Sequence, residues 1–145
     1  MTILIDATTL ASMATAPPGG TLAAILAAWR RGMFLVVVSD HLLVELRRTL
    51  ASQYFSRRLS PQDIRIYLEF IVGAAQHVPI TVQVSGVATH PEDDLVLAAA
   101  LSGHVDYLVT SDRRFRARVP NYQGVKLLSP AEFLAVLNAA PGESE

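Results

Sequence analysis

Cysteine is absent from the 145 residues of this chain, and lysine occurs only once. Without cysteine there can be no disulfide framework and no zinc site built on thiolates. Apolar residues make up 51% of the sequence, yet no apolar run reaches the ~20 residues that a membrane-spanning helix requires. The first residues have a strand-like pattern without the basic and apolar regions of a signal peptide. We therefore expect a cytoplasmic protein that does not enter a membrane.

Several common catalytic motifs are also missing. No GxxxxGK[ST] or GxGxxG loop is present to cradle a nucleotide phosphate. Ser12 and Ser39 have no evident base partner, so a hydrolytic triad is unsupported. The histidines lack a metal-ligand spacing such as HExxH, and we expect them to be ordinary loop or surface residues. They are His41, His77, His90 and His104.

The charge is nearly balanced, with a net value of -1, but its distribution is uneven. Arginine supplies all but one of the 12 basic residues. The densest group is Arg113, Arg114, Arg116 and Arg118, directly after Asp112. Guanidinium groups suit bidentate contacts to phosphate, although a solvated surface explains any single arginine pair equally well. The first three residues of this group are the best candidates for contacts with a nucleic acid.

Short apolar runs alternate with amphipathic segments along the chain. Strands are expected at 2–6, 34–38, within 77–84, 105–110 and 125–128. Helices are expected at 21–31, from Ser39 or Asp40 to Leu50, at 60–75, from 93 to 101, and from Ser129 to 138. This alternation and a mean hydropathy of +0.34 favour an α/β fold with a parallel sheet covered on both faces. We expect a single domain over residues 1–138 and a flexible C-terminal tail at 139–145.

Acidic residues stand at the ends of the predicted strands and the beginnings of the predicted helices. They are Asp6, Glu45, Asp93, Asp94 and Asp112. In an open α/β sheet ligands bind outside the carboxyl ends of the strands, so distant acids can meet there. Their mutual repulsion requires a cation, and Mg²⁺ or Mn²⁺ with oxygen ligands meets that need. Taken singly, each acid could instead end a strand, extend to solvent or favour a helix N-terminus.

Four segments of the chain resemble the successive motifs of PIN-domain ribonucleases. These are residues 4–10, 39–46, 93–100 and 109–112, and the Val-Thr-Ser-Asp stretch at 109–112 is the most specific of them. Residues 124–134 also resemble the branch that contains the toxin components of bacterial toxin–antitoxin systems. The similarity spans nearly the whole chain.

This resemblance implies a three-layer α/β/α sandwich and a Mg²⁺- or Mn²⁺-dependent endoribonuclease that leaves 5′-phosphate and 3′-hydroxyl ends. By position, the catalytic, metal-binding acids are Asp6, Glu45, Asp94 and Asp112, with Asp93 as an alternative to Asp94. Thr110 matches the family's hydroxyl residue near the metal. Thr8 stands where the family usually has asparagine or serine, and Ala7 replaces a hydroxyl residue. The resemblance also implies an RNA substrate, a homodimer, and an antitoxin that covers the acidic pocket with an arginine or lysine side chain.

Two other functions fit part of the pattern. A phosphatase with an aspartyl nucleophile would also have an acid at the end of strand one, but it would need a second acid where Thr8 stands. A non-catalytic module would use the same pocket to bind RNA or a protein without cutting. Such a module has no need of a cation, so measuring Mg²⁺ or Mn²⁺ binding separates it from a nuclease.

Overall fold

The computed structural model describes residues 1–139, and within them a six-stranded sheet is flanked by helices. The strands are β1 Thr2–Ile5, β2 Leu35–Val38, β3 Gln76–His77, β4 Tyr107–Val109, β5 Asn121–Tyr122 and β6 Val125–Leu128. The helices are α1 Ala7–Ala14, α2 Thr21–Arg30, α3 Asp40–Leu50, α4 Gln53–Ser56, α5 Pro61–Ala74, α6 Pro91–Ser102, α7 Arg113–Arg118 and α8 Pro130–Ala139. None of the helices in this part of the chain is long and apolar enough to cross a membrane.

The strand order across the sheet is β3-β2-β1-β4-β6-β5. Every neighbouring pair is parallel except β5 with β6, which pair antiparallel. The predicted α/β sandwich is therefore confirmed, with the correction that a short antiparallel pair forms one edge of the sheet. Of the predicted tail, Ala139 is the last residue of α8 and residues 140–145 lie outside the described part of the chain.

The central strand β1 explains why the sheet is apolar throughout. Its residues Ile3, Leu4 and Ile5 are fully buried, and Leu4 lies between Val37 of β2 and Leu108 of β4. A strand with neighbours on both sides and helices on both faces has no contact with water, so both sets of alternating side chains must be apolar. The carboxyl ends of β1, β2 and β4 thus lie side by side at one edge of the sheet.

The helix starts follow the capping chemistry of the sequence. Ser39 is the N-cap of α3, and its hydroxyl accepts a hydrogen bond from the Leu42 amide at 3.1 Å. Ser60 and Asp63 form a reciprocal capping box at the start of α5, with proline in the first helical position. The buried face of α3 carries Leu42, Leu43, Leu46 and Leu50. These signals confirm the predicted positions of both helices.

Five elements differ from the sequence-based expectation. Helices α1, α4 and α7 and strand β5 were not predicted. The third strand consists only of Gln76 and His77, and residues 78–84 form no regular element. The polar segment after Asp112 is helical because that carboxylate accepts hydrogen bonds from the amides of Arg114 and Phe115, and the Phe115 ring is buried.

The end of α6 packs closely against β2. A Cβ atom added to Gly103 would lie 2.7 Å from Cγ1 of Val37, which is fully buried and has no room to move. We expect Gly103→Ala to lower the free energy of unfolding by about 1–3 kcal/mol, as overpacking does. The control is Gly73→Ala in α5, where the added Cβ meets nothing within 4 Å and we expect a gain of about 0.5–1 kcal/mol. Urea unfolding measures both, and equal effects of the two substitutions would contradict this packing.

Candidate metal centre

A pocket of about 130 Å³ opens at the carboxyl edge of the sheet, between α1, α3 and α6. Besides Asp6 at the end of β1, its wall contains four acidic or imidazole side chains, all from helices α3 and α6. The lining residues are Asp6, Ala7, Thr8, His41, Leu42, Glu45, Thr49, Glu92, Asp93 and Val96. Neither arginine nor lysine is among these described lining residues, although Arg48, next to the wall, lies 3.0 Å from the carboxylate of Glu45.

Asp6 links the end of β1 to the beginning of α1. It has an extended backbone and acts as N-cap, with Oδ1 accepting a hydrogen bond from the Thr9 amide at 3.1 Å. Its Oδ2 accepts a hydrogen bond from the hydroxyl of Thr110 at 2.5 Å. Burial raises the pKa of Asp6 above its usual value, although these hydrogen bonds act in the opposite direction. The site thus holds this carboxylate in one orientation at an electrostatic cost.

Thr110 and Asp112 follow β4 and approach Asp6 from the neighbouring strand. The fully buried Thr110 hydroxyl donates to Asp6 and accepts a hydrogen bond from the Asp112 amide at 3.1 Å. The Asp112 Oδ1 atom caps α7, at 3.0 Å from the Arg114 amide. The charge of Asp112 also raises the pKa values of Asp6 and Asp93, which means that the three carboxylates share one electrostatic environment.

Asp93 and Asp94 are neighbours on α6 but face different surroundings. Asp93 lines the pocket, and its pKa is raised by burial first and then by the charges of Asp112 and Asp6. Asp94 is only 6% exposed and is absent from the pocket wall. Its carboxylate accepts hydrogen bonds from three backbone amides, those of Gly86 at 3.0 Å, Val87 at 3.3 Å and Ala88 at 2.7 Å.

The sequence-based preference for Asp94 over Asp93 therefore disagrees with this geometry. Adjacent residues of a helix point about 100° apart, so only one of the two can face the pocket. Asp94 instead anchors the loop before α6. Arg118 also holds this loop, because its Nε donates a hydrogen bond to the Val87 carbonyl at 3.0 Å. The structure brings Asp93, rather than Asp94, together with Asp6.

Glu45 faces the pocket from the second turn of α3. Its Oε1 atom is 3.0 Å from Nη1 of Arg48, an exposed side chain one turn further along the helix. His41, one turn earlier on α3, also lines the pocket and lies 2.9 Å from Glu92 of α6. The expectation that all four histidines are ordinary loop or surface residues does not hold for His41. No sequence signal joins His41 to Glu92, because the fold alone brings the two helices together.

Thr9 is a further residue that the sequence did not identify. It is 1% exposed, and its hydroxyl accepts a hydrogen bond from the Ser111 amide at 3.1 Å and contacts the Ser111 hydroxyl at 3.2 Å. Thr9 thereby ties the first turn of α1 to the segment that carries Thr110 and Asp112. Thr8, the predicted supporting residue, is exposed and contributes only to the pocket wall.

The arginines after Asp112 divide into two groups. Arg116 donates from Nη1 to the Thr110 carbonyl at 2.6 Å, and Arg118 holds the loop before α6, so both have structural partners. Arg113 and Arg114 are exposed at the beginning of α7. Of the three arginines predicted to contact nucleic acid, Arg116 therefore has its guanidinium engaged within the protein.

The raised pKa of Asp93 has a consequence for stability without a cation. Because the folded protein binds this proton more tightly than the unfolded chain, the free energy of unfolding falls as pH rises from about 3.8 through the folded-state pKa. We expect Asp93→Asn to raise the melting temperature in EDTA at neutral pH by roughly 2 °C, a small gain because the side chain is partly exposed. The gain should fade as pH drops below about 3.8, where the unfolded chain also becomes protonated. Circular dichroism melting measures it, and a lower melting temperature at neutral pH would contradict the repulsion.

The donor set fits a hard divalent cation. Carboxylate oxygens are the ligands of Mg²⁺ and Mn²⁺, and the pocket wall supplies them from the end of β1, from α3 and from α6. Burial raises the pKa values of Asp6 and Asp93, and the charges of neighbouring carboxylates raise them further. A bound cation would offset both effects, because it stabilises the charged form of each carboxylate. The residues that would hold the ion are Asp6, Glu45, Asp93 and Asp112, and because no three of them have ligand atoms within 4.8 Å of one another, their side chains would have to move together to reach one ion.

A sequence-family model described as PIN domain matches residues 2–114. The chain therefore belongs to the PIN-domain family, as the resemblance of its motifs predicted. Members of this family are generally nucleases that use divalent metal ions. No curated protein sequence matches the chain.

Two solved structures have a similar fold. The first is the crystal structure of VapBC2 from Rickettsia felis bound to a DNA fragment from their promoter, with a TM-score of 0.60 and 12% identity, over 89% of this chain and 98% of that one. The second is PAE2754 from Pyrobaculum aerophilum, with a TM-score of 0.55 and 15% identity, over 97% of this chain and 91% of that one. At these identities the similarity establishes the fold.

Proposed function

We propose that this protein is a divalent-cation-dependent endoribonuclease that hydrolyses RNA phosphodiester bonds. The observation that supports this function is that carboxylates of Asp6, Glu45 and Asp93 line one pocket, with the charge of Asp112 close by and with only Glu45 of the three paired to an arginine, the exposed Arg48. In this proposal these four residues hold Mg²⁺ or Mn²⁺. Asp94, which the sequence suggested as a metal ligand, is not one of them in this proposal. It instead positions the loop before α6 through its hydrogen bonds to three backbone amides.

A divalent cation bound here would lower the pKa of water and neutralise charge on the phosphate. The chain's own contribution is orientation, because the hydrogen bonds from Thr9 and Thr110 fix both oxygens of Asp6. Thr110 also binds the Asp112 amide, so a single buried hydroxyl sets the spacing between acids on two strands. Attack by water then leaves a 5′-phosphate and a 3′-hydroxyl, and no side chain is needed as nucleophile.

Contacts with the RNA backbone fall to the exposed arginines at the start of α7. Arg113 and Arg114 directly follow Asp112, so their guanidinium groups can bind phosphates next to the scissile bond. Arg116 keeps its hydrogen bond to the Thr110 carbonyl and therefore stabilises the segment that carries Thr110 rather than contacting RNA. Specificity for RNA would then come from strand shape and flanking phosphates rather than from these arginines alone.

The protein also fits the toxin of a toxin–antitoxin pair that acts in the cytoplasm. The supports are the resemblance of residues 124–134 to the toxin branch and the fold similarity to a chain of VapBC2, which is bound to a fragment of promoter DNA. An antitoxin would place an arginine or lysine side chain opposite the pocket carboxylates. We also propose that the active form is a homodimer.

The test is incubation of the purified protein with end-labelled single-stranded RNA, with Mn²⁺, with Mg²⁺ and with EDTA. We expect cleavage only when a cation is present, and 5′-phosphate ends on the products. Absence of cleavage under all three conditions would overturn the proposed nuclease, and RNA binding that persists in EDTA would then favour a non-catalytic binding module.

A further inference from the structure

One side of the pocket carries a second group of potential metal ligands. His41 and Glu45 are one turn apart on the same face of α3, and Glu92 stands opposite them in the first turn of α6. One ligand atom from each of these residues lies within 4.8 Å of the other two. Among the described residues, no other group of three acidic or imidazole side chains has this spacing. Only Glu45 of the three belongs to the proposed catalytic set.

The separations are close to those of ligands on a single ion. Two ligand atoms on one ion lie at most about 4.2–4.6 Å apart, because each bond is about 2.1–2.3 Å long. Nε2 of His41 is 2.9 Å from Oε2 of Glu92, so these two side chains already point at one another. Their side chains are 27% and 59% exposed, so solvent reaches both.

An imidazole in this group changes which ions it selects. Mg²⁺ and Ca²⁺ are bound almost wholly by oxygen, whereas imidazole nitrogen suits first-row transition metals. The neighbouring group at Asp6 and Asp93 offers oxygen ligands only. The two halves of the pocket therefore differ in donor chemistry. Glu45 lies between them, and to bind an ion its carboxylate would exchange the 3.0 Å contact with the exposed Arg48 for the cation.

We propose that His41, Glu45 and Glu92 form a second cation site that takes a transition-metal ion such as Mn²⁺. This inference rests on the proposed nuclease function, since Glu45 would link the two sites. Its consequence is a preference of the enzyme for Mn²⁺ over Mg²⁺, because Mg²⁺ fills the oxygen site but binds poorly to the imidazole. With two ions, both the attacking and the leaving oxygen of a phosphodiester can be stabilised.

The direct test is pulsed electron paramagnetic resonance of the full chain loaded with Mn²⁺. A nitrogen nucleus couples strongly to the electron spin of the ion only when it is a ligand, so we expect nitrogen coupling in the wild-type protein. His41→Gln should abolish that coupling and weaken binding of one Mn²⁺ by about tenfold or more, while the other Mn²⁺ stays bound. Glu92→Gln should weaken the same ion and spare the other.

The matched control is His104→Asn. His104 is exposed, lies beyond the far end of α6 and has a positive φ that asparagine tolerates. The control should keep the wild-type coupling and binding. Absence of nitrogen coupling in the wild type, or coupling that survives in His41→Gln, would overturn the second site and leave His41 and Glu92 as an ion pair.

The outcomes also separate this inference from the proposed function. If the nitrogen coupling depends on His41 but no RNA is cleaved, the second site stands and the nuclease function fails. If Mn²⁺-dependent cleavage occurs without nitrogen coupling, the nuclease function stands and the second site fails.

Discussion

Asp93→Asn is expected to lower the rate of RNA cleavage by about a thousandfold or more while the protein stays folded. The substitution removes one negative charge from the pocket wall and keeps the shape of the side chain. In our account the cation is held by charge from several carboxylates, so the loss of one weakens its binding and misplaces it. Steady-state cleavage of labelled RNA in Mn²⁺ measures the effect, and circular dichroism verifies the fold.

The neighbouring substitution Asp94→Asn is the matched control. It also removes one carboxylate charge from α6, but from a side chain that hydrogen-bonds three backbone amides outside the pocket. We expect the folded Asp94→Asn protein to keep cleavage within about tenfold of the wild type. If Asp94→Asn abolished cleavage and Asp93→Asn did not, the assignment of the metal ligand to Asp93 would be wrong.

Asp94→Ala should be among the most destabilising single substitutions of an acidic residue in this protein. The carboxylate is buried, and alanine would leave the amides of Gly86, Val87 and Ala88 without their acceptor. An unsatisfied buried donor costs about 1–3 kcal/mol, and water can reach part of this loop. We therefore expect a loss of about 3 kcal/mol in the free energy of unfolding, which corresponds to a fall of roughly 6–12 °C in melting temperature.

The control for this prediction is Asp40→Ala. Asp40 is also an acid in the first turn of a helix, α3, but it is exposed, and the cap is supplied by Ser39. Its loss should cost about 0.5 kcal/mol through the helix dipole. Thermal melting of both variants at neutral pH gives the comparison. A loss at Asp94 no larger than that at Asp40 would show that the three hydrogen bonds do not hold the loop.

The apolar elements were predictable from the sequence because their patterns arise from burial. Strands β1, β2, β4 and β6 are short β-branched or leucine-rich runs, and α5 begins with a proline-containing capping box. Helix α7 was missed because its residues are mostly arginine, and a single buried ring, Phe115, is too little periodicity to detect. Strand β3 was overestimated because an apolar run such as 78–84 is equally compatible with a loop that packs on the core.

The site was only partly predictable for a similar reason. The positions of Asp6, Glu45 and Asp112 follow from strand and helix ends, which the sequence marks well. The choice between Asp93 and Asp94 depends on the loop at 86–88, which meets Asp94 only after the chain has folded. Likewise, nothing local to His41 indicates that Glu92 will lie 2.9 Å away.

The proposed nuclease depends on carboxylates from three elements being held together by a divalent cation in one pocket. It is tested most directly by a crystal structure of the Mn²⁺-loaded protein with anomalous scattering measured for manganese. We expect a manganese peak about 2.0–2.3 Å from carboxylate oxygens of Asp6 and Asp93, with Asp94 still bound to the loop amides. A pocket without manganese under saturating conditions, or a peak coordinated by Asp94 instead, would contradict it.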